Sequence, residues 1–184
     1  VHIHDRSHLN DLCEIPPLAE PLMDAFWPGP LTLLFVRKPV VPPAVTAGLP
    51  TVAIRMPSHP VATAQLKICG LPVAAPSAIS SGRPSPTTAA HVLEDMDGRI
   101  PLILDGGPCD VGVESTVLDL CHEQPTILRP GGVTKDMLES VLGREVLLAG
   151  SILRPLGENE VALSPGMRYK HYAPKGAVTL IEGD

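Results

Sequence analysis

Apolar residues along the chain recur with two spacings, and each spacing predicts its own kind of element. Helical spacing, together with caps and proline or glycine stops, predicts five helices. The first follows a cap at Ser7 and carries Leu9, Leu12 and Cys13, and the others are Leu18–Phe26, Pro60–Cys69, Ala89–Met96 and a helix from the Thr134 cap to Leu142. Short apolar runs bounded by turn residues predict six strands. These are Leu31–Val36, Thr51–Arg55, Pro72–Ala75, Pro101–Asp105, Ser115–Leu120 and Thr126–Arg129.

Strands and helices mix along the chain without strict alternation. This order favours an open α/β fold with a twisted, mixed-direction sheet and flanking helices over a doubly wound parallel sheet. The regular pattern fades from about Ser151, and 164–175 is polar, basic and aromatic. We therefore expect a domain over 1–150 and a linker over 151–184 toward a possible further domain. Val1–Ile3 has the composition of a strand interior, so we expect the start of the domain to lie upstream.

Composition predicts one folded domain with unusually many shaped loops. The chain has 184 residues, 44% hydrophobic and 18% charged, with 22 prolines, which is enough to bury a core without disulfides or a metal. The four cysteines are scattered and form no CxxC pair. Free thiols in a reducing cytoplasm therefore fit better than disulfides, and the spacing indicates no zinc or other metal site. No apolar run is long enough to span a membrane.

Charge and aromatic content disfavour broad nucleic-acid binding. The net charge is -6, and only two Phe, one Trp and two Tyr are present. Neither a basic footprint nor an aromatic stacking platform is available, so any RNA contact would be weak and local.

Three positions are suited to binding an anion. Arg55 ends an apolar strand, where its guanidinium can bind a carboxylate with two hydrogen bonds or form a surface ion pair. Arg129 ends another strand just before Pro130-Gly131-Gly132. Ser85-Pro86 has the signature of a helix start, where free N–H groups bind phosphate, although the same signature fits a Ser85 that serves only as a cap.

Other polar residues are less specific. Small hydroxyl residues lie where the backbone can approach a ligand in the string Gly112-Val113-Glu114-Ser115-Thr116. His2 fits either a hydrogen bond to substrate or a structural role. The chain has no Ser-His-Asp arrangement, no Walker loop and no GxGxxG motif, so no catalytic residue is identified.

Five strings, in this order, resemble the YrdC-type threonylcarbamoyl-adenylate synthases. They are PGPLT at 28–32, TVAIRMPSHP at 51–60, APSAxxSGRPSPT at 75–87, DGGPCDVGVESTV at 105–117 and ILRPGG at 127–132. SPGMRYKHYAP at 164–174 is similar to the linker that joins this domain to a small C-terminal domain in long members of the family. In that family, a strand and a Lys/Arg-containing loop that holds the triphosphate precede the position of Val1.

The resemblance implies an enzyme that makes threonylcarbamoyl-AMP and pyrophosphate from L-threonine, bicarbonate and ATP. This product serves tRNA threonylcarbamoyladenosine modification through downstream proteins, and Mg²⁺ would arrive with the nucleotide. By the same resemblance, the L-threonine contacts are His2, Arg55, Ala75 and Thr116. The ATP contacts are Thr51, Ser77, Ser85, Arg129 and the linker residue Tyr172, with Tyr169 a weaker candidate for the linker role.

One position departs from the family pattern, and two other functions stay open. Ser77-Ala78-Ile79 stands where the family has Ser-Ala-Asn, so an apolar side chain replaces an amide. The first alternative is a non-catalytic RNA-binding or assembly module of the same fold. The second is a carbamoyl-adenylate-forming domain of a hydrogenase-maturation enzyme, which the linker motif and the threonine-matching residues disfavour.

Overall fold

The computed structural model describes residues 1–80, 82–153 and 179, and within them five strands form one mixed sheet. The strands are β1 (Leu31–Val36), β2 (Thr51–Arg55), β3 (Thr116–Asp119), β4 (Thr126–Arg129) and β5 (Leu147–Leu148). They are ordered β2-β1-β3-β4-β5. Pairs β1–β2 and β3–β4 are antiparallel, whereas β1–β3 and β4–β5 are parallel. The predicted mixed-direction α/β sheet is confirmed.

Six α-helices lie in the described part of the chain, most of them where the sequence predicts. They are α1 (Leu9–Leu12), α2 (Ala19–Phe26), α3 (Pro60–Cys69), α4 (Ala89–Met96), α5 (Lys135–Leu142) and α6 (Gly150–Leu153). Thr134 caps α5 as predicted. The first helix is present as α1, but its predicted cap at Ser7 is wrong, because Asp5 accepts the Ser7 N–H and caps a 3₁₀ turn, Arg6–His8, that precedes α1.

The main core lies between one face of the sheet and the helices α2 and α5. Alternate residues of β1 and β2 point into it together with α2 and α5 side chains, and the largest are Leu31, Leu33, Phe35, Val52, Ile54, Leu22, Met23 and Leu138. Each such side chain contributes about 1.5–3 kcal/mol when fully buried. The opposite face has a much smaller buried cluster of Leu34, Val117 and Leu128, so it leaves room for polar side chains.

Val1–Ile3 extends the sheet beyond β2. The Ile3 N–H donates to the Arg55 carbonyl, and His2 and Val73 exchange backbone hydrogen bonds. His2 therefore forms a parallel bridge to Arg55 and an antiparallel bridge to Val73. The predicted strand over 72–75 is thus reduced to this single bridge.

The predicted strand Pro101–Asp105 is absent, and that prediction is wrong. The segment has no strand partner among the described residues, and Leu102 and Leu104 are 69% and 56% exposed. A strand requires a neighbouring backbone to accept its hydrogen bonds, which local apolar composition does not supply. Conversely, β5 and α6 had no sequence prediction.

Gly131 brings the turn after β4 against the start of β3. A side chain at Gly131 would overlap the backbone of Glu114, Ser115 and Thr116. The Gly132 N–H donates to the Glu114 carbonyl across the same contact. This close approach holds Arg129 beside Ser115. No helix in the described part of the chain has the length and apolar character needed to cross a bilayer.

Candidate functional site

One face of the sheet carries a row of polar side chains, which we call the polar face and define by His2, Arg55, Thr32 and Arg129. His2 pairs with Arg55, Arg55 with Thr32, Thr32 with Val117, and Val117 with Arg129. Directly paired residues point to the same side of a sheet. Because β1 and β3 separate β2 from β4, the backbones of the two arginines are about 14 Å apart. Two arginine side chains are long enough to extend over this distance from opposite sides.

Arg55 is half-buried on this face and has no anionic partner among the described residues. Its Nε is buried without a hydrogen-bond acceptor, and the ion pairs found in the described part do not include it. Burial lowers the pKa of Arg55, and the nearby positive charge of Arg129 lowers it further. A desolvated guanidinium beside a second one is stabilised when an anion binds between them.

Arg129 is oriented by Ser115. Its Nε and Nη2 donate to the Ser115 carbonyl at 3.2 and 2.9 Å, and Nη2 also donates to the Ser115 hydroxyl at 3.1 Å. The Ser115 hydroxyl lies 2.8 Å from the Thr32 hydroxyl. Thr32 was not among the predicted site residues, and Ser115 was noted only as one of the small hydroxyl residues in 112–116, although both belong to strings that carry the family resemblance. The missing signal is tertiary, because 83 positions separate the two hydroxyls.

His2 adds a neutral imidazole to the row. Burial lowers the pKa of His2 to about 4, and the positive charge of Arg55 acts in the same direction. At pH 7 the ring is therefore uncharged and has one N–H donor and one acceptor nitrogen. Such a ring can hydrogen-bond an uncharged substrate hydroxyl or an amine without adding charge to the site.

The structure does not bring the Thr116 side chain to the polar face. Thr116 is fully buried, and its hydroxyl donates to the Val133 carbonyl at 2.6 Å and accepts from the Val133 N–H at 3.0 Å. Its partner across β1 is Leu31, which belongs to the main core. The hydroxyl thus fixes the loop after β4 instead of facing the arginines.

Thr51 and Ala75 line one cavity of about 560 Å³ next to the polar face. Leu34, Thr51 and Ala53 belong to its sheet side, and residues 44–47, 49 and 74–76 line it from the loops. Thr51 lies four residues before Arg55 on β2. Side chains alternate between the two faces of a strand, so both point to the same face of the sheet. The structure therefore groups Thr51, Ala75, Arg55 and His2 around one region.

Ser85 and Ser77 belong to the loop 76–87, which lies before α4. The prediction that Ser85 caps a helix is wrong: α4 begins at Ala89, and the Thr88 hydroxyl accepts the His91 N–H. Ser85 instead donates its hydroxyl proton to the carboxylate of Glu114. Ser77 is exposed, and Ile79 is half-buried.

An ion-pair clamp fastens this loop to α4. Arg83 pairs with Asp95 and, at 2.8 Å, with Glu94. The second carboxylate oxygen of Asp95 accepts the Ser80 N–H at 3.1 Å. The Asp95 side chain is only 6% exposed, whereas that of Arg83 is 47% exposed, so Asp95 forms the buried end of the clamp.

The remaining candidates add little to this site. Tyr172 and Tyr169 lie outside the described residues. All four cysteines are free thiols: Cys13 is buried, Cys121 is half-buried, and Cys69 and Cys109 are exposed. Within the part of the chain that the structure describes, no three His, Cys, Asp or Glu side chains are grouped to hold a metal ion.

Two family models match the chain. The Sua5/YciO/YrdC model, described as telomere recombination, matches residues 1–131. A second model, described as the C-terminal domain of threonylcarbamoyl-AMP synthase, matches residues 133–184.

Curated and solved relatives agree with these matches. The threonylcarbamoyl-AMP synthases of Bacillus subtilis and Pyrococcus abyssi are 52% and 46% identical over 100% of this chain, which covers 52% and 53% of their lengths. The crystal structure of P. abyssi Sua5 complexed with L-threonine superposes with a TM-score of 0.89 at 47% identity, over 94% of this chain and 50% of that one. The chain thus spans about half the length of the relatives it matches. From its family-model match over most of its length and from these identities, the chain belongs to the Sua5/YciO/YrdC family.

Proposed function

We propose that this chain carries the substrate-binding part of an L-threonylcarbamoyladenylate synthase, a nucleotidyltransferase that acts in tRNA modification. The observation that carries the proposal is the half-buried Arg55 near Arg129, with its Nε buried and without an acceptor in the described part of the chain. Its reaction joins L-threonine, bicarbonate and ATP into threonylcarbamoyl-AMP and releases pyrophosphate. The names of the curated relatives support this activity.

L-threonine would bind at the end of β2. Arg55 holds the carboxylate with charge-assisted hydrogen bonds, and the neutral His2 ring beside it bonds the amine or the hydroxyl. Ala75, at the edge of the adjoining cavity, lies against the rest of the amino acid. The relative whose crystal structure contains L-threonine supports this choice of substrate. Thr116 is left out of the set because its hydroxyl is already bonded to Val133.

ATP would bind toward Arg129 and the loop 76–87. Arg129 supplies positive charge for the phosphates, and Thr51 and Ser77 supply hydroxyl groups. Ser85 would contribute by exchanging its hydrogen bond to Glu114 for one to the nucleotide, and we propose Tyr172 as a further ATP contact. We assign Mg²⁺ to the nucleotide phosphates and route no step through a protein-bound metal. Catalysis then rests on positioning and on electrostatic stabilisation of the charge that develops at the α-phosphorus.

The product would pass to downstream tRNA-modification proteins in the cytoplasm, with at most a weak contact to tRNA. The acidic net charge of -6 supports a weak contact to tRNA, because tight tRNA binding requires a basic surface. We further propose that 1–150 forms the catalytic domain and 151–184 the linker that includes Tyr172.

The test is product formation by the full chain. With L-threonine, ¹³C-bicarbonate and Mg-ATP, mass spectrometry should find threonylcarbamoyl-AMP that carries one ¹³C, and pyrophosphate should appear only when all three substrates are present. Arg55→Ala should lose most of this signal, whereas Arg99→Ala, which removes an exposed arginine, should keep it. Pyrophosphate that forms without bicarbonate or threonine would contradict the proposal. Salt-sensitive tRNA binding without any product would favour the non-catalytic RNA-binding module.

A further inference from the structure

A pair of hydroxyl groups lies between the two arginines of the polar face. Thr32 is the direct partner of Arg55 across β1 and β2, and its hydroxyl lies 2.8 Å from that of Ser115. Ser115 in turn accepts a hydrogen bond from Arg129. The order along the face is therefore Arg55, Thr32, Ser115 and Arg129.

A count of protons shows that this pair has a hydrogen-bond donor to spare. Two hydroxyls carry two protons, and the bond between them uses one. Ser115 acts only as an acceptor toward Arg129, and no other hydrogen bond within the described residues uses the second proton. Ser115 is 6% exposed, whereas Thr32 is half-buried. The arrangement in which Ser115 donates to Thr32 thus leaves the proton of Thr32 for a ligand on the polar face.

The proposed reaction requires a ligand at this position. If Arg55 holds the threonine carboxylate and Arg129 the nucleotide phosphates, the one-carbon unit that joins them must lie between the two arginines. We infer that the Thr32–Ser115 hydroxyl pair is the binding subsite for bicarbonate and for the carbamate formed from it. This assignment rests on the proposed function and adds to it the place where the third substrate binds.

The chemistry balances at this subsite. The threonine amine attacks the bicarbonate carbon, a C–N bond forms, and water leaves, so that R–NH₂ and HCO₃⁻ give R–NH–COO⁻ and H₂O. A carbamate oxygen then attacks the α-phosphorus, an O–P bond forms, and the bond to the β-phosphate breaks to release pyrophosphate. In both steps the reacting carboxyl oxygens carry negative charge, which a hydroxyl donor flanked by two guanidinium groups stabilises.

The experiment measures the KM for each substrate in the full chain, using pyrophosphate release in buffers freed of dissolved carbon dioxide. Thr32→Val removes the hydroxyl and keeps the β-branched shape. The KM for bicarbonate should rise about ten-fold or more, the effect of one lost hydrogen bond to a charged group. The KM values for L-threonine and ATP should change less than two-fold. Thr32→Ser, which keeps a hydroxyl, should restore most of the bicarbonate KM.

Thr126→Val is the matched control. Thr126 lies on β4, and its hydroxyl bonds the Gln124 carbonyl in the neighbouring turn, so this variant makes the same change in a strand outside the site. An unchanged bicarbonate KM in a folded Thr32→Val would overturn the inference, and so would an equal rise in all three KM values. A rise confined to ATP would make Thr32 a phosphate contact and overturn it as well. A wild-type chain without bicarbonate-dependent product would overturn the proposed function, and this inference with it.

Discussion

Burial lowers the pKa of Arg55, and the positive charge of Arg129 lowers it further although the two arginines belong to strands that are separated by two others. Two like charges that act on each other cost free energy when no anion lies between them. The fold tolerates this cost where function requires a strained site. The relationship between Arg55 and Arg129 thus predicts effects on stability as well as on binding.

Replacing Arg55 with methionine should stabilise the fold while it removes threonine binding. Arg55→Met keeps the apolar stem and eliminates a desolvated guanidinium that has no anionic partner among the described residues. We therefore expect the Tm to rise by about 2–4 °C, the shift that 1 kcal/mol produces in a chain of this size. Differential scanning calorimetry without substrates measures it.

Arg37→Met is a control variant for which we expect the Tm to change in the opposite direction. The Arg37 side chain donates to the carbonyls of Leu49 and Val41 at 2.9 and 3.0 Å, so its loss should lower the Tm. A lower Tm for Arg55→Met as well would show that Arg55 is an ordinary structural arginine.

The stability of the fold should depend on His2 in mild acid. Its pKa is about 4 in the folded chain, against 6.5 for an unperturbed histidine, so the unfolded state binds more protons between these pH values. The contribution of His2 to the free energy of unfolding should therefore be fully present above pH 6.5 and be lost as the pH decreases toward 4. In His2→Asn the curve of Tm against pH should be flatter over this range. An identical slope in both proteins would show that the His2 ring is not desolvated.

Releasing the clamp on the loop 76–87 should weaken ATP use. Asp95→Asn removes the charge that pairs with Arg83 and weakens the bond to the Ser80 N–H. We expect amide exchange at Ser80 to become at least ten-fold faster and the KM for ATP to rise, with the KM for threonine nearly unchanged.

Glu94→Gln tests the same clamp at its exposed end. The Glu94 side chain is 65% exposed, so this variant should behave like the wild type, because exposed ion pairs contribute little. If the Ser80 amide exchanges as slowly in Asp95→Asn as in the wild type, the ion-pair clamp does not fix the loop.

Restoring an amide at position 79 should improve nucleotide use. Ile79 offers no hydrogen-bond donor, whereas Asn offers two N–H groups and a carbonyl. A hydrogen bond to a charged group contributes about 1.5–3 kcal/mol, so Ile79→Asn should raise ATP affinity or turnover by roughly 10- to 100-fold. Titration with ATP measures it. A Tm that falls by several degrees with unchanged ATP affinity would show that half-buried Ile79 is a packing residue.

Sequence patterns predicted the features of this fold that depend on local order. Apolar runs predicted β1 and β2 with their observed ends, and placed Arg55 and Arg129 at strand ends. Features that depend on distant partners were not predictable. Ser85 has the local signature of a cap, but the carboxylate of Glu114, 29 positions away, takes its proton.

The sequence also did not predict the face of the sheet to which the Thr116 side chain points. All four residues of β3 are buried, so polar and apolar residues do not alternate and the sequence cannot show which side faces the core. The Thr32–Ser115 pair has the same origin, because only the parallel pairing of β1 with β3 brings the two hydroxyls together.

Direct titration of L-threonine into the full chain tests most directly whether Arg55 binds the substrate carboxylate. By calorimetry, the wild type and Arg99→Met should bind L-threonine alike, and Arg55→Met should bind it roughly 10- to 100-fold more weakly, as expected for loss of about 1.5–3 kcal/mol. Equal threonine affinity in the wild type and a folded Arg55→Met would contradict the account.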